Sequence, residues 1–256
     1  MTAVSLNRTA SPLLYSPEDS FCRIGLIVLA TDLTSEHDFI KICNNGRIRL
    51  HISRTEYKNP VTPENLRAMK DGLAEAAALL VPDIPLQAVY FSCTSGGALL
   101  GDKTVAEKIQ SAVGRVPVIT PLSAATSAFT ALGTRKLSIL TPYTENVARP
   151  VGSYFENSGF TVQNISYMGL VDDREMARIK AESIIAAAKE TISGDAEALF
   201  ISCTALRSAE VAGLIEKKIG KPVVTSNQAA AWKALKIACI VPDASGYGKL
   251  LSSKMQ

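Results

Sequence analysis

Ala88-Val89-Tyr90-Phe91-Ser92-Cys93-Thr94 and Ala198-Leu199-Phe200-Ile201-Ser202-Cys203-Thr204 are two versions of one phrase, an apolar run that ends in Ser-Cys-Thr. Two further blocks repeat in the same order around it. Arg23-Ile24-Gly25-Leu26-Ile27-Val28-Leu29-Ala30-Thr31 matches Lys136-Leu137-Ser138-Ile139-Leu140-Thr141-Pro142-Tyr143-Thr144, and Val116-Pro117-Val118-Ile119-Thr120-Pro121-Leu122-Ser123-Ala124-Ala125 matches Lys221-Pro222-Val223-Val224-Thr225-Ser226-Asn227-Gln228-Ala229-Ala230. The separation between matched blocks drifts by only a few residues. Composition alone does not keep three blocks in register and in order, so the chain reads as a duplication. Two halves that face one another would bring Cys93 and Cys203 to one cleft.

The repeats are continuous apolar strands, and helical patterns lie between them. Pro63 to Leu80 carries Leu66, Met69, Leu73, Ala76, Ala77 and Leu80 at spacings of three and four, which predicts one amphipathic helix with Pro63 in its first turn. Asp173 to Thr191 predicts another, with Met176, Ile179, Ile184, Ile185 and Ala188 on its apolar side. Apolar strands alternating with such helices imply parallel sheets covered on both faces. The expected fold is α/β, with two pseudosymmetric Rossmann-like lobes. Residues 1–118 with 226–256 form the first and residues 119–225 the second, with the site between them.

Length and charge limit what else the chain can be. At 256 residues it suits two modest domains. Its 27 basic and 24 acidic residues are evenly mixed, which disfavours a nucleic-acid partner. Residues 1–20 are polar, with Pro12 and Pro17, and no run of about 18 apolar residues occurs, so no membrane partner is expected and the reading is a soluble, cytoplasmic protein with a loose leader. The five cysteines are odd in number and scattered without a CxxC pair, which argues against a disulfide framework or a metal site. No cofactor motif is complete either: Gly96, Gly97 and Gly101 fit turns and close packing better than a phosphate loop.

In parallel α/β sheets ligands sit beyond the carboxyl ends of the strands, which is where both Ser-Cys-Thr motifs end. A helical pattern follows each cysteine, and a thiol at a helix N-terminus is pushed toward the thiolate by the macrodipole and free N–H groups. Two opposed thiols could serve as the acid and base that move a proton across a carbon, or one could act as nucleophile while the other handles the proton. Thr94, Ser95 and Thr204 beside them would bind a carboxylate. The competing reading is a pair of inert buried thiols; Cys22, Cys43 and Cys239 carry no such context. His37 and His51 stand in no catalytic arrangement, and Trp232 reads as core of the last helix.

Ser-Cys-Thr-Ser-Gly, Thr-Pro-Tyr-Thr at 141–144, the second Ser-Cys-Thr and Ser-Asn-Gln-Ala-Ala-Ala-Trp at 226–232 resemble the aspartate/glutamate racemase superfamily, in its branch with maleate cis-trans isomerase and arylmalonate decarboxylase. The likeness spans roughly residues 20–240. Within the branch, Gly25 to Glu36 looks most like ectoine-utilisation proteins. The resemblance implies that Cys93 and Cys203 are the two active thiols, whereas the decarboxylase has glycine at the first place. It implies that Tyr143 helps hold a substrate carboxylate, with Thr94, Ser95 and Thr204, and that the last helix crosses back to the first lobe. A small carboxylate or amino-acid-like substrate, an isomerase or racemase reaction without cofactor, and a homo-oligomer are the expectations. Alternatives left open are maleate isomerisation, a decarboxylase or other lyase step on one cysteine, and a non-catalytic small-ligand binder.

Two departures bear on substrate. Maleate isomerases carry asparagine where this chain has Asp32 and Asp173, and an ionised carboxylate accepts hydrogen bonds where an amide donates. Simple maleate turnover is therefore disfavoured, and a cationic group near the reacting carbon, as in a diaminobutyrate- or ectoine-derived compound, would suit both residues. Each aspartate also suits capping of the helix that follows it. Racemases proper follow the second cysteine with Thr-His, whereas Thr204 precedes Ala205.

Overall fold

The computed structural model describes residues 4–16, 21–43, 46–241, 244 and 246–252. Its first half runs β1 (Cys22–Leu29), α1 (Ser35–Ile42), β2 (Ile48–Thr55), α2 (Pro63–Ala68), α3 (Leu73–Ala78), β3 (Ala88–Ser92), α4 (Thr94–Leu100), α5 (Asp102–Val113), β4 (Val118–Ile119) and α6 (Pro121–Leu132). The second half runs β5 (Lys136–Thr141), α7 (Glu145–Asn157), β6 (Thr161–Tyr167), α8 (Asp173–Met176), α9 (Ala181–Thr191), β7 (Ala198–Ile201), α10 (Ala212–Ile219), β8 (Val223–Thr225), α11 (Ser226–Ile237) and α12 (Lys249–Ser252).

These strands form two four-stranded sheets, ordered β2-β1-β3-β4 and β6-β5-β7-β8, and every pairing is parallel. The second order is the first repeated, which is the duplication seen as topology. β3 and β7 are buried along their whole length, as strands covered on both faces must be. Edge strands β2 and β6 are half-exposed, and His51 lies in β2. Phe129 of α6 packs edge to face with Phe155, Phe160 and Phe200 of the second half; Phe39 stacks on Tyr90 in the first.

The third repeat block builds α6 and α11, each opened by a capping box, Thr120 with Ser123 and Thr225 with Gln228. Each helix leaves the sheet whose strand precedes it. α6 packs on α7 and β8, α11 packs on α1 and β3, and the two helices pack on each other. Buried Trp232 lies in α11.

Both long predicted helices are interrupted. The segment from Pro63 is α helix, then a 3-10 turn over Met69–Gly72, then α3. At Gly72 a Cβ would lie 3.0 Å from Thr55 Oγ1, so the backbone approaches the end of β2 there. The segment from Asp173 divides into α8 and α9, with Lys180 extended between them.

Candidate active site

Cys93 is the N-cap of α4: its backbone is extended (φ −151°, ψ 110°) and its Sγ accepts the Gly96 N–H at 3.3 Å. Ser95 Oγ lies 3.8 Å from the same sulfur. Gly96 is required here, because a Cβ would sit 2.9 Å from Cys93 Sγ and 2.5 Å from Met69 Cε.

Cys203 is held differently. The expected helix does not follow it; the chain bends through residues 204–208 before a 3-10 turn at Ala209–Val211 leads into α10. Its φ is +92°, the left-handed region that a residue with a Cβ rarely adopts. Such strain persists only where surrounding contacts enforce it. Two of those contacts cross between the halves, Thr34 Oγ1 donating to Ala205 O at 2.7 Å and Thr204 Oγ1 to Ser92 O at 3.2 Å, and within the second half Asn227 Nδ2 of α11 donates to Thr204 O at 2.9 Å. The Cys203 thiol donates to Met176 Sδ at 3.8 Å.

Burial pushes both thiols up to about 12. The Gly96 amide and Ser95 oppose this at Cys93; the Tyr143 hydroxyl and the amides of Ala205 and Leu206 oppose it at Cys203. The expectation of activated thiolates is thus reversed by burial. A helix terminus contributes roughly 0.3–1 kcal/mol, less than one pKa step, whereas burial shifts a group by up to about 3–5 units.

Asp32, Cys93, Thr94, Ser95, Tyr143, Asp173, Cys203 and Thr204 all line one cavity, with about 330 Å³ of empty space including its mouth. Among the described residues no lysine, arginine or histidine lines it. A larger groove of about 1010 Å³ lies outside, along the end of β2 and α2–α3; it holds neither thiol and shares only Tyr57 with the cavity. Among the described residues no group of three or more His, Cys, Asp and Glu is placed to hold a metal ion.

The aspartates divide in role. Asp32 Oδ1 accepts the Thr34 and Ser35 N–H groups at 2.9 and 2.8 Å, just ahead of α1 whose N-cap position is Thr34, and its Oδ2 accepts Ser35 Oγ at 2.6 Å. Burial raises its pKa against those bonds. Asp173 does not cap the helix after it. That cap is Asp172, whose side chain accepts the Arg174 N–H, while Asp173 accepts from Thr31 Oγ1 and, at 2.7 Å, from Asn59 Nδ2. The threonine hydroxyls point inward: Thr94 Oγ1 donates to Ser226 Oγ at 2.8 Å and Thr204 Oγ1 to Ser92 O, so neither proton is free for a ligand.

Sequence reasoning missed Tyr57, Asn59 and Met176. Tyr57 and Met176 line the cavity, and Asn59 links the loop after β2 to Asp172 and Asp173. Beside that link, Val61 N–H donates to Val171 O at 2.7 Å across the halves. The only local mark of this loop is the Asn59-Pro60 pair, which predicts a turn and no chemistry.

Comparison with known proteins places this geometry. The chain is 25% identical over 240 residues to a maleate isomerase of Nocardia farcinica, covering 90% of this chain and 95% of that one. It is 25% identical to the arylmalonate decarboxylase of Bordetella bronchiseptica, covering 74% and 81%. Its fold superposes on the crystal structure of a Pseudomonas putida maleate isomerase with a TM-score of 0.84 at 22% identity, covering 91% of this chain and 99% of that one. A structure of arylmalonate decarboxylase gives 0.75 at 20% identity, covering 91% and 100%. The family model described as arylmalonate decarboxylase matches residues 70–251, most of the chain, and the chain belongs to that family.

Proposed function

We propose that the protein is a cofactor-independent isomerase or racemase, in which Cys93 and Cys203 act on a small carboxylate held between lobes of residues 1–118 with 226–256 and residues 119–225. The observation that carries the reading is that equivalent cysteines, at the ends of equivalent strands β3 and β7, line one cavity. Relatives support the reaction class: maleate isomerases align along nearly the whole chain, and one structure of the Nocardia farcinica enzyme holds a covalently bound succinylcysteine intermediate. A thiol is thus able to add to a substrate in that protein, and either a nucleophile or an acid/base pair fits two thiols here.

The cavity offers Tyr143 and Ser95 to the carboxylate and Asp173 to a cationic group. Among the described residues of the lining none is basic, and a dianion would meet neutral donors and two acidic residues there. An amino-acid-like substrate with an ammonium or amidinium nitrogen, of the kind ectoine or hydroxyectoine breakdown supplies, fits this polarity better than maleate. Incubation of candidate amino acids in deuterated water tests the proposal. NMR loss of the α-hydrogen signal that requires both cysteines supports it, and ligand binding without exchange makes the protein a binder instead. Decarboxylation on one cysteine is the second reading, favoured by the family match; there Cys93→Ser is tolerated far better than Cys203→Ser.

A further inference from the structure

Five buried side-chain polar atoms lack a hydrogen-bond partner among the described residues: His51 Nε2, Thr55 Oγ1, the Tyr57 hydroxyl, Thr141 Oγ1 and Ser202 Oγ. Only Tyr57 among them lines the cavity. Buried polar groups are normally paired, so an orphan at a cavity wall calls for a partner that the resting protein does not supply. Tyr57 lies two residues past the end of β2, at the carboxyl rim where such sheets bind ligands. The ring is 6% exposed, and its oxygen is sealed from bulk solvent. The loop is also fixed in place, because Asn59, two residues on, is bonded to Asp172 and Asp173 of the other half.

The surroundings define what the hydroxyl can do. Cys93, Asp173 and Cys203 line the same cavity, and burial, with their charges adding to it, raises the pKa of the phenol, so it stays a neutral O–H. A neutral phenol beside thiols and carboxylates, none of which takes its proton, is a donor waiting for an acceptor. Thr94 and Thr204 have their hydroxyl protons turned inward, which leaves few donors for a substrate oxygen.

We infer that Tyr57 is a substrate-binding residue whose hydroxyl donates a hydrogen bond to a carboxylate or carbonyl oxygen of the ligand, at the side of the cavity that adjoins the outer groove. The inference rests on the reading that the cavity takes a small carboxylate. It adds a binding group on the loop after β2, away from Tyr143 on the loop after β5.

Tyr57→Phe removes the oxygen and keeps the ring. Titration calorimetry with succinate, L-aspartate and 2,4-diaminobutyrate, run on the full chain and the variant, measures affinity without requiring turnover. The expected result is about ten- to a hundredfold weaker binding of whichever probe the parent binds, the loss of one hydrogen bond to a charged acceptor. The ligand-free variant should melt at the same temperature or higher, since an unpaired buried hydroxyl has been removed. Equal affinity in parent and variant overturns the inference, as does a lower melting temperature with unchanged affinity, which would assign the hydroxyl a structural partner. If the parent binds none of the probes, the premise of a small-carboxylate cavity fails and the inference with it. Failed deuterium exchange with a preserved Tyr57 effect would instead remove only the proposed reaction.

Discussion

Alkylation of the thiols tests whether burial or helix-terminus chemistry governs the site. With Cys93 and Cys203 pushed up to about 12, some three units above the ordinary 9.0, the thiolate fraction at neutral pH is about a thousandfold below that of a solvated thiol. The rarer thiolate is also the better nucleophile. With a Brønsted coefficient of about 0.4–0.5, three units return roughly twentyfold, so ionisation alone leaves a deficit of about fiftyfold. Restricted access enlarges it. Iodoacetamide labelling of the ligand-free protein, quenched over time and read peptide by peptide by mass spectrometry, should show exposed Cys239 modified first. Cys93 and Cys203 should lag free cysteine by at least that factor. Buried Cys43, also pushed up to about 12 but away from the cavity, is the internal control for burial without a ligand site. Their labelling rates should climb about tenfold per pH unit with no plateau below about pH 11. Labelling of Cys93 or Cys203 as fast as free cysteine at neutral pH, or a plateau below pH 9, would refute the reasoning and restore the activated thiolate.

Three further outcomes follow from local geometry. Because Cys203 has a φ of +92°, Cys203→Gly should be more stable than Cys203→Ala by about 1 kcal/mol in urea unfolding, strain relief outweighing the entropy of glycine; the reverse order would show that the backbone is not strained. Gly96→Ala would drive a methyl into Cys93 Sγ and Met69 Cε, costing about 1–3 kcal/mol of stability and at least about a hundredfold in α-hydrogen exchange; an unaffected exchange rate would mean the Cys93 sulfur position is immaterial. Burial raises Asp38 from 3.8 to about 7, so the folded protein holds a proton that the unfolded chain gives up. Stability is then full below about pH 4 and falls as pH rises to 7, by at most about 4 kcal/mol. Asp38→Asn, which keeps an acceptor for Asn227 Nδ2, should flatten the melting temperature against pH, and identical profiles for both proteins would sink the claim.

What could be read from the sequence was whatever is written locally and twice. The apolar runs at β1, β3, β5 and β7 identify buried parallel strands, and the repeated Ser-Cys-Thr places two thiols at equivalent strand ends. Residues that matter through contact between distant loops left no such trace. Tyr57 and Asn59 gain their surroundings only because the loop after β2 meets residues 171–173 of the other half. The left-handed Cys203 was equally hidden, since that conformation is written in sequence by glycine. The thiol pKa values were misjudged for a related reason: a helix start is a local pattern, whereas desolvation depends on everything packed around the sulfur.

A proton-transfer pair needs one thiol and one thiolate, yet burial favours two neutral thiols and no described residue of the lining is basic. Asp173 adds to the cost of a second negative charge there. In the proposed reaction the positive charge arrives with the ligand. An ammonium group beside Asp173 would share a cavity with both sulfurs, since Cys93, Asp173 and Cys203 line the same space. Bound there, it should lower the pKa of at least one cysteine. Difference spectroscopy in the ultraviolet thiolate band reads this directly. The band should appear on adding 2,4-diaminobutyrate to the parent protein, should be absent with succinate, and should vanish in the Cys93→Ser, Cys203→Ser double variant. A band of equal size with succinate would place the charge that ionises the thiol on the protein, and the argument for a cationic substrate would then fall.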